Sequence, residues 1–257
     1  WHSNKPRRSA ASTRSAVRLQ AAPSAQRRSK AMAGDIPTFI HPQLCRTVSR
    51  PPAGERWAHE IKFDGYRMQL RIAGGEATLF TRTGLDWTER FSAIAAAAKA
   101  LPDAVIDGEV VALDRGGIPD FGALQAALSE GQSQDLIYFA FDLLVAGAED
   151  LRTLPLSKRK DRLQTLLAAH GHGRIRYVEH LAAPGDDVLK SACDMRFEGI
   201  VSKRLDAPYQ AGRSESGAKS KCRQGHVVGS GGWTTTGENF RSLIRGVNRE
   251  GERVHVG

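Results

Sequence analysis

The run Glu60-Ile61-Lys62-Phe63-Asp64-Gly65-Tyr66-Arg67 constrains what this chain folds into more than any other segment. From Tyr66 to Ile72 the order Tyr-Arg-Met-Gln-Leu-Arg-Ile alternates with period two. That is the pattern of a half-buried strand. Trp57, Ala58 and Ile61 make the preceding residues apolar as well. Asp64-Gly65 then reads as a turn between two strands, with Lys62 at the mouth of a pocket. Extended backbone on both sides of a turn thus carries an amine, a carboxylate and a guanidinium close together.

A lysine amine attacks only when neutral, and its ordinary pKa is about 10.4. Burial and nearby cations lower that value, so a nucleophilic lysine belongs in a pocket with positive charge beside it. Arg67 is one source of that charge and a metal ion is another. The set suits attack on a nucleotide phosphate better than it suits a solvated surface. The competing reading is a hairpin with an incidental Asp-Gly turn, because short motifs match by accident.

Further segments add weight. Thr81-Arg82-Thr83-Gly84 follows the strand Ala77 to Thr81. The β-rich run Ala104 to Leu113 is interrupted by Asp107-Gly108-Glu109, and Glu198 heads the apolar run before Lys203. Acids in buried strands are costly unless paired or metal-bound. Glu109 and Glu198 are therefore the metal candidates, with an arginine salt bridge for each as the alternative. In Phe139-Ala140-Phe141-Asp142-Leu143-Leu144 the phenylalanines face a planar base or fill the core. Lys219 and Lys221 are two apart; on a strand they share a face and meet one phosphate.

In this order the segments resemble the adenylation domain of ATP-dependent DNA ligases, most of all the ligase module of bacterial non-homologous end-joining proteins. The resemblance covers about residues 37 to 257. It implies that Lys62 takes AMP from ATP as a phosphoramide, with Asp64 and Arg67 in the same catalytic motif. Glu60 reads the adenine edge through its neighbourhood, and Arg67 and Arg82 contact the nucleotide sugar or the nick phosphate. Glu109 and Glu198 work with Mg²⁺ or Mn²⁺. Phe141 stacks on one adenine face with Val201 on the other, and Lys219 and Lys221 hold the α-phosphate. In such a transfer, positioning and charge neutralisation carry most of the barrier reduction.

The sequence departs from the family pattern in three places. The family weaves a Trp and other apolar residues through its last lysine motif, whereas this chain has Ser214-Glu215-Ser216-Gly217-Ala218-Lys219-Ser220-Lys221. Gly217 and Ser220 remove apolar anchors, and glycine weakens a strand interior, so both lysines are expected to be loosely held. Arg223-Gln224-Gly225-His226-Val227-Val228 carries Gly-His where the family tends to have an acid and an aromatic. The chain stops at Gly257, where the family continues through an OB-type barrel to a basic motif that orients pyrophosphate. A slow or absent first step from ATP is the expectation.

Charge is unevenly spread. The net charge is +9, yet residues 1–34 hold eight Lys or Arg and no acid, residues 213–257 net +4, and residues 35–212 net −3. Basic ends suit a DNA backbone. Residues 1–36 read as a basic disordered tail or linker, acid-poor and rich in Arg, Ser and Ala as transit peptides are. The first residue is Trp1 rather than Met, which suggests a fragment with Met32 as a candidate start. No apolar run approaches eighteen residues, so no membrane partner is expected. Cys45, Cys193 and Cys222 lack metal-ligand spacing and read as free thiols in a reducing compartment. His170, His172 and His180 fit no metal motif and are placed on the surface.

Strands are expected near 57–62, 66–72, 77–81, 104–113, 136–145, 175–179 and 199–204. Helices are expected near 88–100, 121–129, 157–170 and 186–195, capped by Thr88 or Asp86, by Ser157 and by Asp186. The fold class is α+β: a nucleotidyltransferase domain of antiparallel sheets with flanking helices over 37–222, then a partial OB-fold β module over 223–257. The resemblance implies a monomer in the cytoplasm of a bacterium, associated with the nucleoid. Its implied partners are double-stranded DNA with nicks or ends, and end-joining proteins. Two alternatives stay open. One is an RNA ligase or capping guanylyltransferase, which shares Lys-x-Asp-Gly. The other is a catalytically impaired DNA-binding remnant.

Overall fold

The computed structural model describes residues 36–170, 173–222, 228–236, 239–249 and 252–255. In chain order the elements are β1 (Gln43–Thr47), β2 (Trp57–Lys62), β3 (Tyr66–Ala73), β4 (Glu76–Thr81), a 3-10 turn (Glu89–Phe91), α1 (Ser92–Ala98), β5 (Ala104–Val111), α2 (Phe121–Ser129), β6 (Ile137–Ala146) and β7 (Glu149–Asp150). There follow α3 (Leu156–His170), β8 (Ile175–Tyr177), α4 (Gly185–Asp194), β9 (Gly199–Arg204), β10 (Gly212–Lys221), β11 (Val228–Thr236), β12 (Asn239–Arg249) and β13 (Glu252–His255). The architecture is the expected α+β mixture of sheets with few helices.

The larger sheet runs β4-β3-β5-β6-β7, with β8 added on β6. Its apolar face shows the expected period: Met68, Leu70 and Ile72 of β3 are buried with Leu79 of β4 and Ile106 of β5. Phe91, Ile94, Leu124, Leu163 and Leu167, from the 3-10 turn, α1, α2 and α3, close over them. Burying each large aliphatic side chain contributes about 1.5–3 kcal/mol. The polar half of the β3 alternation is not solvated. The Gln69 amide pairs with both the N–H and the carbonyl of Ile40, and Arg71 donates to the carbonyls of Pro37 and Ile36. These side chains strap the segment before β1 across the sheet.

The second sheet runs β1-β10-β9-β2. Its β9 packs on α4 through Ile200, Val188 and Ala192. Most pairs are antiparallel as expected, but β1–β10 and β6–β8 are parallel. Because β2 and β3 belong to different sheets, Asp64-Gly65 crosses between sheets and is not the turn of a hairpin. β11, β12 and β13 form an antiparallel three-stranded sheet where an OB module is expected. The tail expected over 1–36 lies outside the described residues except for Ile36, as does His172. Among the described residues no helix is long and apolar enough to cross a membrane.

Three details correct the sequence reading. The Thr88 hydroxyl accepts from Leu79 N–H and donates to Asp86, so it does not cap the first helix. Helix α4 starts at Gly185 after Pro184, which leaves Asp186 inside the first turn, and α3 starts one residue before Ser157. The expectation of three free thiols also fails: Cys193 and Cys222 form a disulfide, with Cα atoms 5.4 Å apart. The antiparallel return of β10 along β9 brings the chain back beside the end of α4, and Cys222 N–H donates to Glu198 O at 3.0 Å. Only Cys45 is free among the described residues, and burial raises its pKa.

Candidate active site

A cavity of about 670 Å³ opens between the two sheets. That is ample for a nucleotide-sized ligand. Strand register explains how residues distant in sequence reach it. Lys62 of β2 and Lys221 of β10 both register with Gly199 of β9, one on each side. Two residues along, Glu60, Val201 and Lys219 form the next row, so the same side of the sheet carries both. Gly199 has φ +149, and a Cβ there would lie 2.1 Å from Ser220 O. Only glycine lets β9 and β10 approach at this row. Gly65 serves the same purpose, since its Cβ would come 2.3 Å from Val110 O.

Glu198, just before this row, binds Lys62 Nζ through one oxygen and Lys221 Nζ at 2.7 Å through the other. Burial pushes its carboxyl up, but the bonds from Lys221 and Lys62 outweigh this and hold it below the usual range. Glu198 is therefore salt-bridged as the alternative supposed, though to lysines rather than arginine. Glu109 has no ion-pair partner among the described residues. Burial pushes its pKa up to about 7, against the pull of Lys62 and Arg67. A half-buried, unpaired carboxyl facing a cavity fits a cation-binding role. Among the described residues no three His, Cys, Asp or Glu side chains cluster as a metal cage. That leaves Glu109 as the carboxylate open to Mg²⁺, which keeps several waters and shares phosphate oxygens, while both Glu198 oxygens are taken by lysines.

Arg67 faces the cavity from the other sheet, where it registers with Glu109. Its guanidinium grips Asp107 at 3.1 and 2.6 Å and donates to Gln43 O at 2.6 Å. The Tyr209 hydroxyl donates to Asp107 at 2.9 Å and accepts from Gln43 N–H at 3.0 Å. The Arg67 head group is thus fixed before any ligand arrives. Asp107 and Tyr209 are residues the sequence reading missed, although Asp107 stood beside Glu109 as an acid in a buried strand.

At the far end Glu60 is buried, with Lys160 and Lys203 each at 2.6 Å. Its burial raises the pKa, but the two ammonium groups bring it below the usual value. Lys203 Nζ sits 4.2 Å from the centre of the Phe141 ring, and Arg67 Cζ lies 5.4 Å from it. Val201 joins Phe141 in the cavity wall. Phe139 instead stacks on Phe63 at 4.2 Å. Arg82 and Arg213 are exposed and line the cavity. Asp64, Glu198 and Lys221 do not line the wall: Asp64 is exposed, and Glu198 and Lys221 meet the site through Lys62.

The expectation of loosely held lysines is not met by the backbone. Strand β10 pairs with β1 on one side and β9 on the other through Lys219. At Gly217 a Cβ would lie 2.8 Å from Cys45 Sγ, so a larger residue there requires the Cys45 side chain to move.

The profile of the family described as ATP dependent DNA ligase domain matches residues 42–221. The multifunctional non-homologous end joining protein LigD of Pseudomonas aeruginosa is 43% identical over 197 residues, covering 75% of this chain and 23% of that protein. LigD of Mycolicibacterium smegmatis is 36% identical over 191 residues, covering 73% of this chain and 24% of that protein. The chain thus spans about a quarter of the length of these relatives. The solved structure of mycobacterial DNA ligase D complexed with ATP and MES superposes with a TM-score of 0.67 at 29% identity, covering 85% of this chain and 71% of that one.

Proposed function

Because the chain belongs to the ATP-dependent DNA ligase domain family, we propose that it seals breaks in double-stranded DNA through a lysyl-AMP intermediate on Lys62, in repair by end joining. The observation that carries this reading is the row Lys62–Gly199–Lys221 with Glu198 bridging its two amines. It orients Lys62 Nζ through an ion pair and gathers positive charge where a phosphate would sit. Lys219 lies one row away on the same wall.

In the first step the Lys62 amine forms a P–N bond to the α-phosphorus of ATP and pyrophosphate leaves. Glu198 accepts from the Lys62 amine and orients it, while Arg67, Lys219 and Lys221 supply positive charge for the phosphates. Mg²⁺ or Mn²⁺ held by Glu109 and the phosphates, and by Glu198 once it released a lysine, would polarise the α-phosphate and offset the leaving-group charge. Phe141 and Val201 bound the base, and Glu60 supplies an acceptor at that end. In the second step AMP passes to a 5′ phosphate, and in the third a 3′ hydroxyl displaces it. Arg82 and Arg213 supply cations for the DNA phosphates from the rim.

The test uses a nicked duplex with a labelled 5′ phosphate, ATP and Mg²⁺. Sealing with ATP and not with GTP, on DNA and not on an RNA nick, is the expected result. Sealing of the RNA nick alone would assign the chain to RNA joining, and GTP-specific labelling would move it to the capping enzymes.

A further inference from the structure

Glu60 has one more counter-ion than it needs. Its oxygens are bound separately: Oε1 by Lys160 and Oε2 by Lys203, each at 2.6 Å. The two lysines are held very differently. Lys160, on α3 and 100 residues away in sequence, is 1% exposed. It also donates to Val178 O at 2.8 Å and lies 4.7 Å from the centre of the Tyr177 ring. Lys203 stands in the cavity wall over Phe141, and its side chain is 15% exposed.

We propose that Lys160 is the resident counter-ion of Glu60, a positioning residue that leaves Lys203 free to exchange Glu60 for an incoming nucleotide. The inference rests on the nucleotide-binding reading of the cavity. A buried carboxylate stripped of every partner costs several kcal/mol. With Lys203 as its sole partner, Glu60 would hold that lysine, and any ligand recruiting it would have to leave a bare charge behind. Lys160 removes this obstacle: Glu60 keeps one ammonium and a neutral pair remains when Lys203 swings towards the ligand. Lys203 would also vacate the face of Phe141, opening that ring for a planar base. Lys160 touches no ligand in this scheme and acts only through Glu60.

The test measures equilibrium binding of an α,β-methylene analogue of ATP by calorimetry, so that no transfer step is needed. Lys160→Met weakens binding by about a hundredfold or more, the low end for removing one partner of a buried charge pair. Adding Glu60→Gln to Lys160→Met removes the charge that traps Lys203, and affinity returns to within about threefold of Glu60→Gln alone. Lys160→Gln keeps a donor and loses only the charge, and carries the same expectation where Lys160→Met does not fold. A purely structural role would lower melting temperature in all three backgrounds with no recovery in the double variant. That outcome, or binding by Lys160→Gln within twofold of the parent, overturns the proposal. A parent chain that binds the analogue but forms no Lys62 adduct sinks the ligase reading and leaves the counter-ion result to stand on binding. A parent that does not bind overturns both.

Discussion

Glu109 makes a pH-dependent contribution to stability whose size follows from its surroundings. Burial pushes its pKa up to about 7, from an ordinary 4.5. The folded state therefore holds the proton more tightly than the unfolded chain. Below the ordinary value both states are protonated and the carboxyl exerts no penalty. Above about 7 both are ionised and the penalty is complete. Each tenfold gain in proton affinity is about 1.4 kcal/mol, which puts the full penalty at roughly 3 kcal/mol. Glu109→Gln cannot ionise and lacks this dependence. Urea unfolding of both proteins in metal-free buffer should show the parent losing about 2–3 kcal/mol relative to the glutamine variant between about pH 5 and pH 8. A constant difference across that range would mean that Glu109 is not held in an unpaired, desolvated setting. Mg²⁺ with bound nucleotide should shrink the difference at the alkaline end, because a cation favours the ionised form.

Other expectations follow from the same packing. Gly199→Ala should cost at least about 2 kcal/mol and abolish lysine adenylation, since its Cβ would lie 2.1 Å from Ser220 O in the row joining Lys62 to Lys221; a stable, active variant would refute the register argument. Reducing the Cys193–Cys222 bridge releases a loop of 29-residue separation, and loop entropy puts the loss at about 3–4 kcal/mol. Urea midpoints with and without a dithiol reductant, alongside a thiol count, read this directly, and an unchanged midpoint with both thiols free would contradict it. Tyr209→Phe removes the hydroxyl that bridges Asp107 to Gln43 N–H, so the sealing rate should fall about tenfold with little change in melting temperature, because about 1 Å of play at Arg67 is costly to a transfer step. Wild-type sealing by that variant would show that Asp107 alone fixes Arg67.

Much of the site was legible because its residues break patterns. An acid in a β-rich run marked Glu109, Glu198 and the neighbourhood of Asp107, and period two correctly placed Met68, Leu70 and Ile72 in the core. What the sequence hid was pairing between distant segments. Strand β10 has a polar, glycine-containing sequence with little strand preference of its own, and it exists because β1 and β9 satisfy its backbone from both sides. Lys160 looks like an ordinary helix-surface lysine until α3 is laid beside Glu60, and Cys193 and Cys222 gave no spacing signal for a bridge made by strand return. The Asp-Gly pair misled in detail: it reads as a hairpin turn, but the chain uses it to pass from one sheet to the other.

The central claim is that Lys62 carries AMP. Incubating the chain with ATP and Mg²⁺, then mapping the adduct by peptide mass spectrometry, tests it most directly. One AMP per chain on Lys62, absent from both Lys62→Ala and Lys62→Arg, is the predicted result; arginine retains charge but offers no neutral amine, its pKa being above about 12. No adduct in the parent chain, or AMP on another lysine such as Lys203 or Lys219, would contradict the account.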